Sequence, residues 1–267
     1  MYIVPFDILE KIIKTLAPHD PDLISLKACS LVCRDLHYIC RRFIFSSVVL
    51  CSYDDYHRPH FPFLPWRYKG PALAFHRLLT AKPYLGEFVR ELDYLAMPDE
   101  LENHNALEGT LELLNGLKYV TLRCFDIPRL RWERLPLRYA FVRLLRLPTL
   151  KSLSLINFSD FIIRDLSGTN LQYLFLHNVA FSAVTQLPDK PIKIRTINVQ
   201  KNSVCEFRRL MALDNQPPGP PIFNYSNIKR LWLEAPTQVE LTASLQMISW
   251  CPGLISARIH NIGNGLQ

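Results

Sequence analysis

One spacing recurs along most of this chain and limits what it can fold into: an apolar residue, two others, a second apolar residue, one other, and a third. It occurs as Phe45-Val48-Leu50, Val89-Leu92-Tyr94, Leu117-Val120-Leu122 and Leu150-Leu153-Leu155. It returns as Leu171-Leu174-Leu176, Ile194-Ile197-Val199, Ile228-Leu231-Leu233 and, with a small residue in the middle, Leu254-Ala257-Ile259. The last two members of each set share a period of two, the mark of a short strand that buries one face. Between the sets lie helical segments, expected at Pro71–Lys82, Thr110–Asn115, Leu137–Leu147, Ser203–Leu213 and Thr237–Trp250. The pattern therefore predicts an α/β chain of eight short strands joined by recurring return segments.

The spacing resembles that of the leucine-rich repeat, whose period is about 20–29 residues. Starts at residues 117, 171, 194 and 254 follow their predecessors within that window, and the longer intervals require inserted loops or longer helices. That family's Asn or Cys falls eight positions after the first Leu; only Asn202 does so here, while Cys124, Asn157, Asn178 and Asn261 come one position earlier. The resemblance implies an irregular solenoid over residues 46–267; the alternative weighed against it is an ordinary α/β domain with eight strands. In a solenoid, alternation turns the residues between the apolar positions toward the concave wall. Tyr119, Arg123, Tyr173, Phe175, His177, Arg230, Trp232 and Arg258 are the expected binding residues on that wall, with the aromatics as anchors of a protein interface.

The first 45 residues read differently. Ile8, Leu9, Ile12, Ile13 and Leu16 recur at helical spacing, and Leu26, Cys29, Val32, Cys33, Leu36, Ile39, Cys40 and Phe43 continue it after a His-Asp-Pro break. Three short helices cannot bury that much apolar surface among themselves, so the surplus must pack on the rest of the chain or on a partner. Pro5 with Asp7-Ile8-Leu9 and Ile12-Ile13, then Asp22-Leu23, Leu26 and Val32-Cys33-Arg34, resembles the F-box, with Val4 where that family usually has Leu and Leu36 near the place of a frequent Trp. The resemblance implies a substrate receptor of a Skp–cullin–F-box ubiquitin ligase. Pro5, Ile8, Leu9, Ile12, Leu26, Val32, Cys33 and Leu36 would bind the Skp-type adaptor, and an unidentified protein substrate would sit on the solenoid. The competing readings are a Skp-bound or free interaction scaffold without ubiquitination, and a nucleic-acid-associated solenoid.

Composition and motifs bear on those readings. No Gly-rich phosphate loop, GxSxG elbow or HExxH occurs, so the expectation is a non-catalytic protein with no cofactor and no metal site. Seven cysteines in no regular spacing give no disulfide framework. Charged residues interrupt any leader segment near Asp7, Glu10 and Lys11, and no apolar run is long enough to span a membrane. The expected setting is cytoplasmic, nuclear or both, with no membrane partner. The net charge of +7 is concentrated at residues 118–151, where nine Lys or Arg face only Asp126 and Glu133. Within it, Leu137, Phe141 and Leu144 share one helical face and Arg138, Arg143 and Arg146 the opposite one, expected to be solvated or to meet an acidic surface. Nucleic acid is the weaker expectation, because no nucleic-acid-binding module is visible. Residues 51–71, rich in Pro and aromatics, and the QPPGPP stretch at 216–221 are read as insertions.

Overall fold

The computed structural model describes residues 4–20, 23–51, 68–69, 72–96, 104–124, 130–182, 190–214 and 222–260. The chain divides into two compact units, residues 1–94 with 102–117 and residues 95–101 with 118–267. The expected change from helices to strands at residue 46 thus lies inside the first unit. The QPPGPP stretch lies outside the described residues, as does the 51–71 insertion apart from Cys51 and the pair Tyr68–Lys69.

The first unit opens with α1 (Phe6–Leu16), α2 (Ile24–Cys29) and α3 (Arg34–Ile44). Pro5 stands just ahead of α1, and its carbonyl accepts from the amides of Ile8 and Leu9. Ile13, Leu23, Leu26, Ile39 and Cys40 form the small core of these helices, with Leu9, Leu16, Leu36 and Phe43 packed on it. Two polar contacts set the geometry. Asp20, itself buried, accepts from the backbone amide of Leu26 at 2.8 Å, satisfying an early donor of α2. Arg42 of α3 pairs with Glu10 of α1 at 2.8 Å. There follow β1 (Ser47–Cys51), β2 (Tyr68–Lys69), α4 (Ala72–Ala81), β3 (Glu91–Ala96) and α5 (His104–Glu112), with β1 between β3 and β2. A 3₁₀ turn at Pro83–Phe88 precedes β3, and Gly86 in it sits so near the Leu113 carbonyl oxygen that a Cβ would clash.

The second unit alternates strands and return segments: β4 (Tyr119–Cys124), β5 (Leu130–Arg131), α6 (Arg138–Leu145), β6 (Ser152–Ile156), β7 (Phe158–Ser159) and β8 (Tyr173–His177). It continues through β9 (Thr196–Gln200), α7 (Ser203–Asp214), β10 (Arg230–Glu234), α8 (Gln238–Ser249) and β11 (Ser256–His260). β4, β6, β8, β9, β10 and β11 lie side by side in chain order, every pair parallel, while β5 and β7 form a separate parallel pair. The chain is an α/β protein built on parallel strands. The α4, α6, α7 and α8 helices match the sequence expectation to within two residues at each end. α5 begins six residues earlier than expected, because the apolar period there extends back to Leu107. α8 carries a full capping box, Thr237 accepting from the Glu240 amide while the Glu240 carboxylate accepts from the Thr237 amide.

The recurring apolar triplet is the buried side of these strands. Leu117, Leu150, Leu171, Ile194 and Ile228 are buried at strand entry, and Val120/Leu122, Leu153/Leu155, Leu174/Leu176, Ile197/Val199 and Leu231/Leu233 follow beneath the strands. In β11 the alternation lapses: Ala257 is exposed and Ile259 only half-buried.

Both ends of the strands repeat a device. At entry, one carbonyl accepts from two consecutive amides of the next strand. Lys118 O takes Lys151 and Ser152, Lys151 O takes Gln172 and Tyr173, Gln172 O takes Arg195 and Thr196, and Arg195 O takes Lys229 and Arg230. Lys118, Lys151, Gln172, Arg195 and Lys229 are thereby aligned as a column about 4.8 Å per step. At exit, Asn157, Asn178 and Lys201 take the left-handed conformation, with φ of 63, 55 and 51°. The side chains of Asn157, Asn178 and Asn202 form a ladder here: Asn157 Nδ2 donates to Cys124 O, Asn178 Nδ2 to Asn157 Oδ1, and Asn202 Nδ2 to Asn178 Oδ1. Asn157 and Asn178, one place early, make their bonds from left-handed backbone that Asn tolerates, whereas Asn202, at the family's own position, follows the left-handed Lys201 and donates the third bond.

Candidate functional site

Two surfaces carry the residues singled out by sequence. On the three-helix segment, Ile8 and Ile12 stand four apart on α1, 44% and 54% exposed, on a stripe flanking the buried one of Leu9, Ile13 and Leu16. Val32 is 72% exposed, and Pro5 and Cys33 are also exposed. Leu9 and Leu36 are half-buried and pack on the helical core, so each presents only part of its side chain. Leu26 needs correction as a binding residue: it is fully buried in that core, on the inward side of α2, and has no surface to offer. Sequence reasoning missed Val4, Phe6, Ile24, Leu31 and Tyr38, all exposed, with Leu31 at 85%. The available signal was the number of apolar residues in these helices beyond what one stripe per helix can bury.

The buried thiol of this segment, Cys40, is quiet. Burial, with smaller contributions from the nearby Cys29 and Cys33, pushes Cys40 up to about 11. A thiol held there stays protonated at neutral pH and is a poor nucleophile.

The second surface is the open face of the β4–β11 sheet. Seven of the eight residues expected on it lie on it by alternating with the buried positions of their strands, and Arg258, on β11 where that alternation lapses, joins them through its register with Trp232. Tyr119, Arg230 and Arg258 are exposed; Arg123, Tyr173, Phe175, His177 and Trp232 are half-buried. Strand register sorts them into rows. The first runs Tyr119, Ser152, Tyr173, Thr196, Arg230, Ser256, and the second Thr121, Ser154, Phe175, Asn198, Trp232, Arg258. Arg123, Ile156, His177 and Gln200 share a third, in which Glu234 faces His260.

The middle of this face is organised around aromatics. Tyr173 and Trp232 meet edge to face across β9, centroids 6.5 Å apart, and Asn198 between them donates to the Tyr173 hydroxyl at 3.4 Å. Phe175 stacks on His177 at 6.2 Å. His177 Nδ1 lies 3.2 Å from Gln200 Oε1. Burial lowers the His177 pKa from its usual value of 6.5, with Lys201 acting in the same direction and the Gln200 bond and Glu234 opposing. The imidazole is therefore neutral at pH 7, and its Gln200 partner requires Nδ1 to carry the proton. The face can offer flat apolar area and a few oriented donors, which suits recognition of a polypeptide.

Among the described residues, the charges of the basic 118–151 block are divided between different surfaces. Arg123 is on the open sheet face, and Lys118 and Lys151 belong to the strand-entry column. Leu137, Phe141 and Leu144 are buried as expected, and Arg143 and Arg146 are exposed. Arg138 departs from the expected solvated row. Its guanidinium meets the Asp165 carboxylate at 3.1 and 3.3 Å, and Trp132 Nε1 donates to the same group at 2.7 Å. Asp165 is buried, and Trp132 packs on Phe158 and Phe161, so these charges form an internal clamp. Arg131 pairs with Asp160 at 3.4 Å.

Among the described residues no group of three His, Cys, Asp or Glu side chains is placed to hold a metal ion, and no helix is long and apolar enough to cross a membrane. Comparison with protein-family models, with curated proteins and with solved structures finds no match to this chain.

Proposed function

We propose that this chain is the substrate-recognition subunit of a Skp–cullin–F-box type ubiquitin ligase, with its strands forming an irregular leucine-rich-repeat-like solenoid. The observation that carries the reading is the apolar surface left on the first three helices. Ile8, Ile12, Leu31 and Val32 stay exposed while their neighbours complete a core, an arrangement that costs solubility unless a partner covers it. Fully burying each such side chain contributes about 1.5–3 kcal/mol, so a handful supports a specific interface. Chain-order parallel strands, the shared carbonyls at strand entry and the Asn ladder at strand exit support the repeat reading.

In this reading the protein does no bond chemistry. It holds a protein substrate on the open sheet face, through Tyr173, Trp232 and the polar groups around them, and holds the adaptor through the helices. Bringing target lysines near the charged conjugating enzyme converts a bimolecular encounter into an effectively intramolecular one. The test is co-purification with a Skp-type adaptor, comparing the natural chain with an Ile8→Asp/Ile12→Asp variant. Both side chains are exposed, so the variant should keep its circular dichroism spectrum; Leu9, which packs on the core, is the wrong choice for such a probe. A stoichiometric complex that the variant loses supports the receptor. Well-folded natural protein that captures no adaptor ends the reading.

A further inference from the structure

β11 closes one end of its sheet, and among the described residues it pairs with β10 and with nothing on its other side. The Ser256 amide donates to Lys229 O, and the His260 carbonyl accepts from the Ala235 amide, both toward β10. Alternate residues of a parallel strand turn their backbone groups to the same side, so Ala257 and Ile259 present theirs to the open edge. Such an edge is a template for another strand, and proteins that keep it free place Pro, a bulge or an inward-pointing charge there. β11 has no Pro and an unbroken register with β10, and where β10 buries Leu231 and Leu233 it offers Ala257 and Ile259.

The apolar side of this end is bare. In the strand-entry column Lys118, Lys151, Gln172, Arg195 and Lys229 give way to Ile255, whose amide takes the last shared carbonyl, Lys229 O. A position that is polar on the five preceding strands is thus aliphatic at β11, and Ile255 is 79% exposed. By alternation it shares a face with Ala257 and Ile259. Helix α8, which packs on β10 and β11, repeats the mismatch. Gln246 accepts from Arg208 of α7 at 3.1 Å, so that flank of α8 faces α7. Leu241, Leu245 and Ile248 stand at i, i+4 and i+7 on the opposite flank, Leu245 exposed and the other two half-buried.

We propose that this end pairs with a second copy of the chain, β11 against β11 and antiparallel, about a two-fold axis through Ala257. In that register Ala257 exchanges both backbone bonds with its counterpart, and the Ile259 amide reaches the Ile255 carbonyl of the second copy. Ile255 then packs against Ile259 of the second copy, and Arg258 faces Ser256. The neighbouring registers are worse. An axis through Arg258 sets two guanidinium groups directly opposite each other, and like charges there are destabilising. An axis through Ser256 sets Ile259 against Gly253. The Ala257 axis also brings the two α8 helices side by side on one face of the joined sheet, so that the flanks of Leu241, Leu245 and Ile248 cover each other. A two-fold contact of this kind is self-complementary and closes on itself. It uses no residue of α1–α3, so it and the receptor reading stand or fall separately.

The experiment is sedimentation velocity of the full chain over about 1–100 µM, where the mass should climb from one copy to two and stop there. Ala257→Pro removes an edge donor without taking a bond from β10, and should weaken the dimer by about tenfold or more. Ile255→Asp should do the same by setting a charge against Ile259 of the second copy. Both positions are exposed, so both variants should keep the natural circular dichroism spectrum. Cysteine cross-linking under a mild oxidant reads the register. Ala257→Cys should join to itself, above the level that the natural chain gives through its exposed Cys33. Ser256→Cys and Arg258→Cys should cross-link when mixed and not when alone. A chain that stays monomeric throughout overturns the proposal, as does a dimer that neither Ala257→Pro nor Ile255→Asp weakens. Mass that grows past two copies would mean head-to-tail stacking and overturns it as well. Arg258→Cys joining to itself in preference to the mixture overturns the axis, and with it the pairing proposed.

Discussion

The three N-terminal helices and the parallel strands treat apolar residues in opposite ways. On α1–α3, a core of five buried residues is wrapped in more aliphatic surface than it can use, and Leu31 and Val32 stand almost as open as in an unfolded chain. On β4–β10, every second residue is buried and its neighbours are mostly Ser, Thr, Asn, Gln and Arg. Period-two alternation gives each strand one buried and one open side with no residue left over. A helix as short as α2 turns only one narrow face inward, which Leu26 and Cys29 fill, so Ile24 is left outside it. The helices thus leave much apolar surface bare, and the strands leave little. The aromatics of the open sheet face are the exception, and they are half-buried among polar neighbours.

That contrast breaks most readily inside the small helical core. Leu26→Ala should cost about 2–5 kcal/mol in urea unfolding, because Leu26 is fully enclosed and a core of this size can collapse only partly around a void. Ile12→Ala, on the exposed stripe, should fall within about 0.5 kcal/mol of the natural protein. Equal effects would mean that α1–α3 do not hold the packing described above.

A smaller loss, about 2–4 kcal/mol, is expected for Asp165→Ala, which strands Arg138 and the Trp132 indole without their shared acceptor. Asp165→Asn should lose less, since its carbonyl oxygen can still accept from Trp132. If the two substitutions cost the same, the charge of Arg138 carries the clamp and the indole bond adds little.

Next in size is the strand-exit ladder. Asn157→Ala removes the bond to Cys124 O and also places Cβ chemistry less suited to a φ of 63°, for a combined cost of about 1–3 kcal/mol. Asn157→Gly keeps the left-handed backbone and loses only the side-chain bonds, so it should cost less than Ala. A Gly variant as damaged as the Ala variant would assign the whole effect to the ladder.

Much of the strand unit was legible because its signal is periodic and local. The triplet spacing located the strands, and alternation placed Tyr119, Tyr173, Phe175, Arg230 and Trp232 on the open face. What sequence could not show is where separate segments meet. The Asp165 clamp joins residues 27 and 33 positions apart, so Arg138 read as one more solvated charge. The cationic column is equally hidden, because Lys118, Lys151, Arg195 and Lys229 are neighbours only through strand register. In the helices the failure was of another kind. Leu26 and Val32 carry the same apolar signal, and the chain alone does not say which is enclosed and which is bare.

The finest test of the comparison uses pH. Burial holds the His177 imidazole below its usual 6.5, with Lys201 assisting and Glu234 and Gln200 opposing. The sign follows from proton counts. As pH falls through 6.5 the unfolded chain binds this proton before the folded one does, so stability drops until the folded imidazole is protonated too, and is constant below that. His177→Gln removes the titrating group from the open face. The difference in unfolding midpoint between natural and variant protein should therefore be flat above pH 7 and shrink or reverse in favour of the variant as the pH falls below 6.5. A pH-independent difference would place His177 in solvent, and the open face would then resemble the exposed helical stripe more closely than its packing against Phe175 implies.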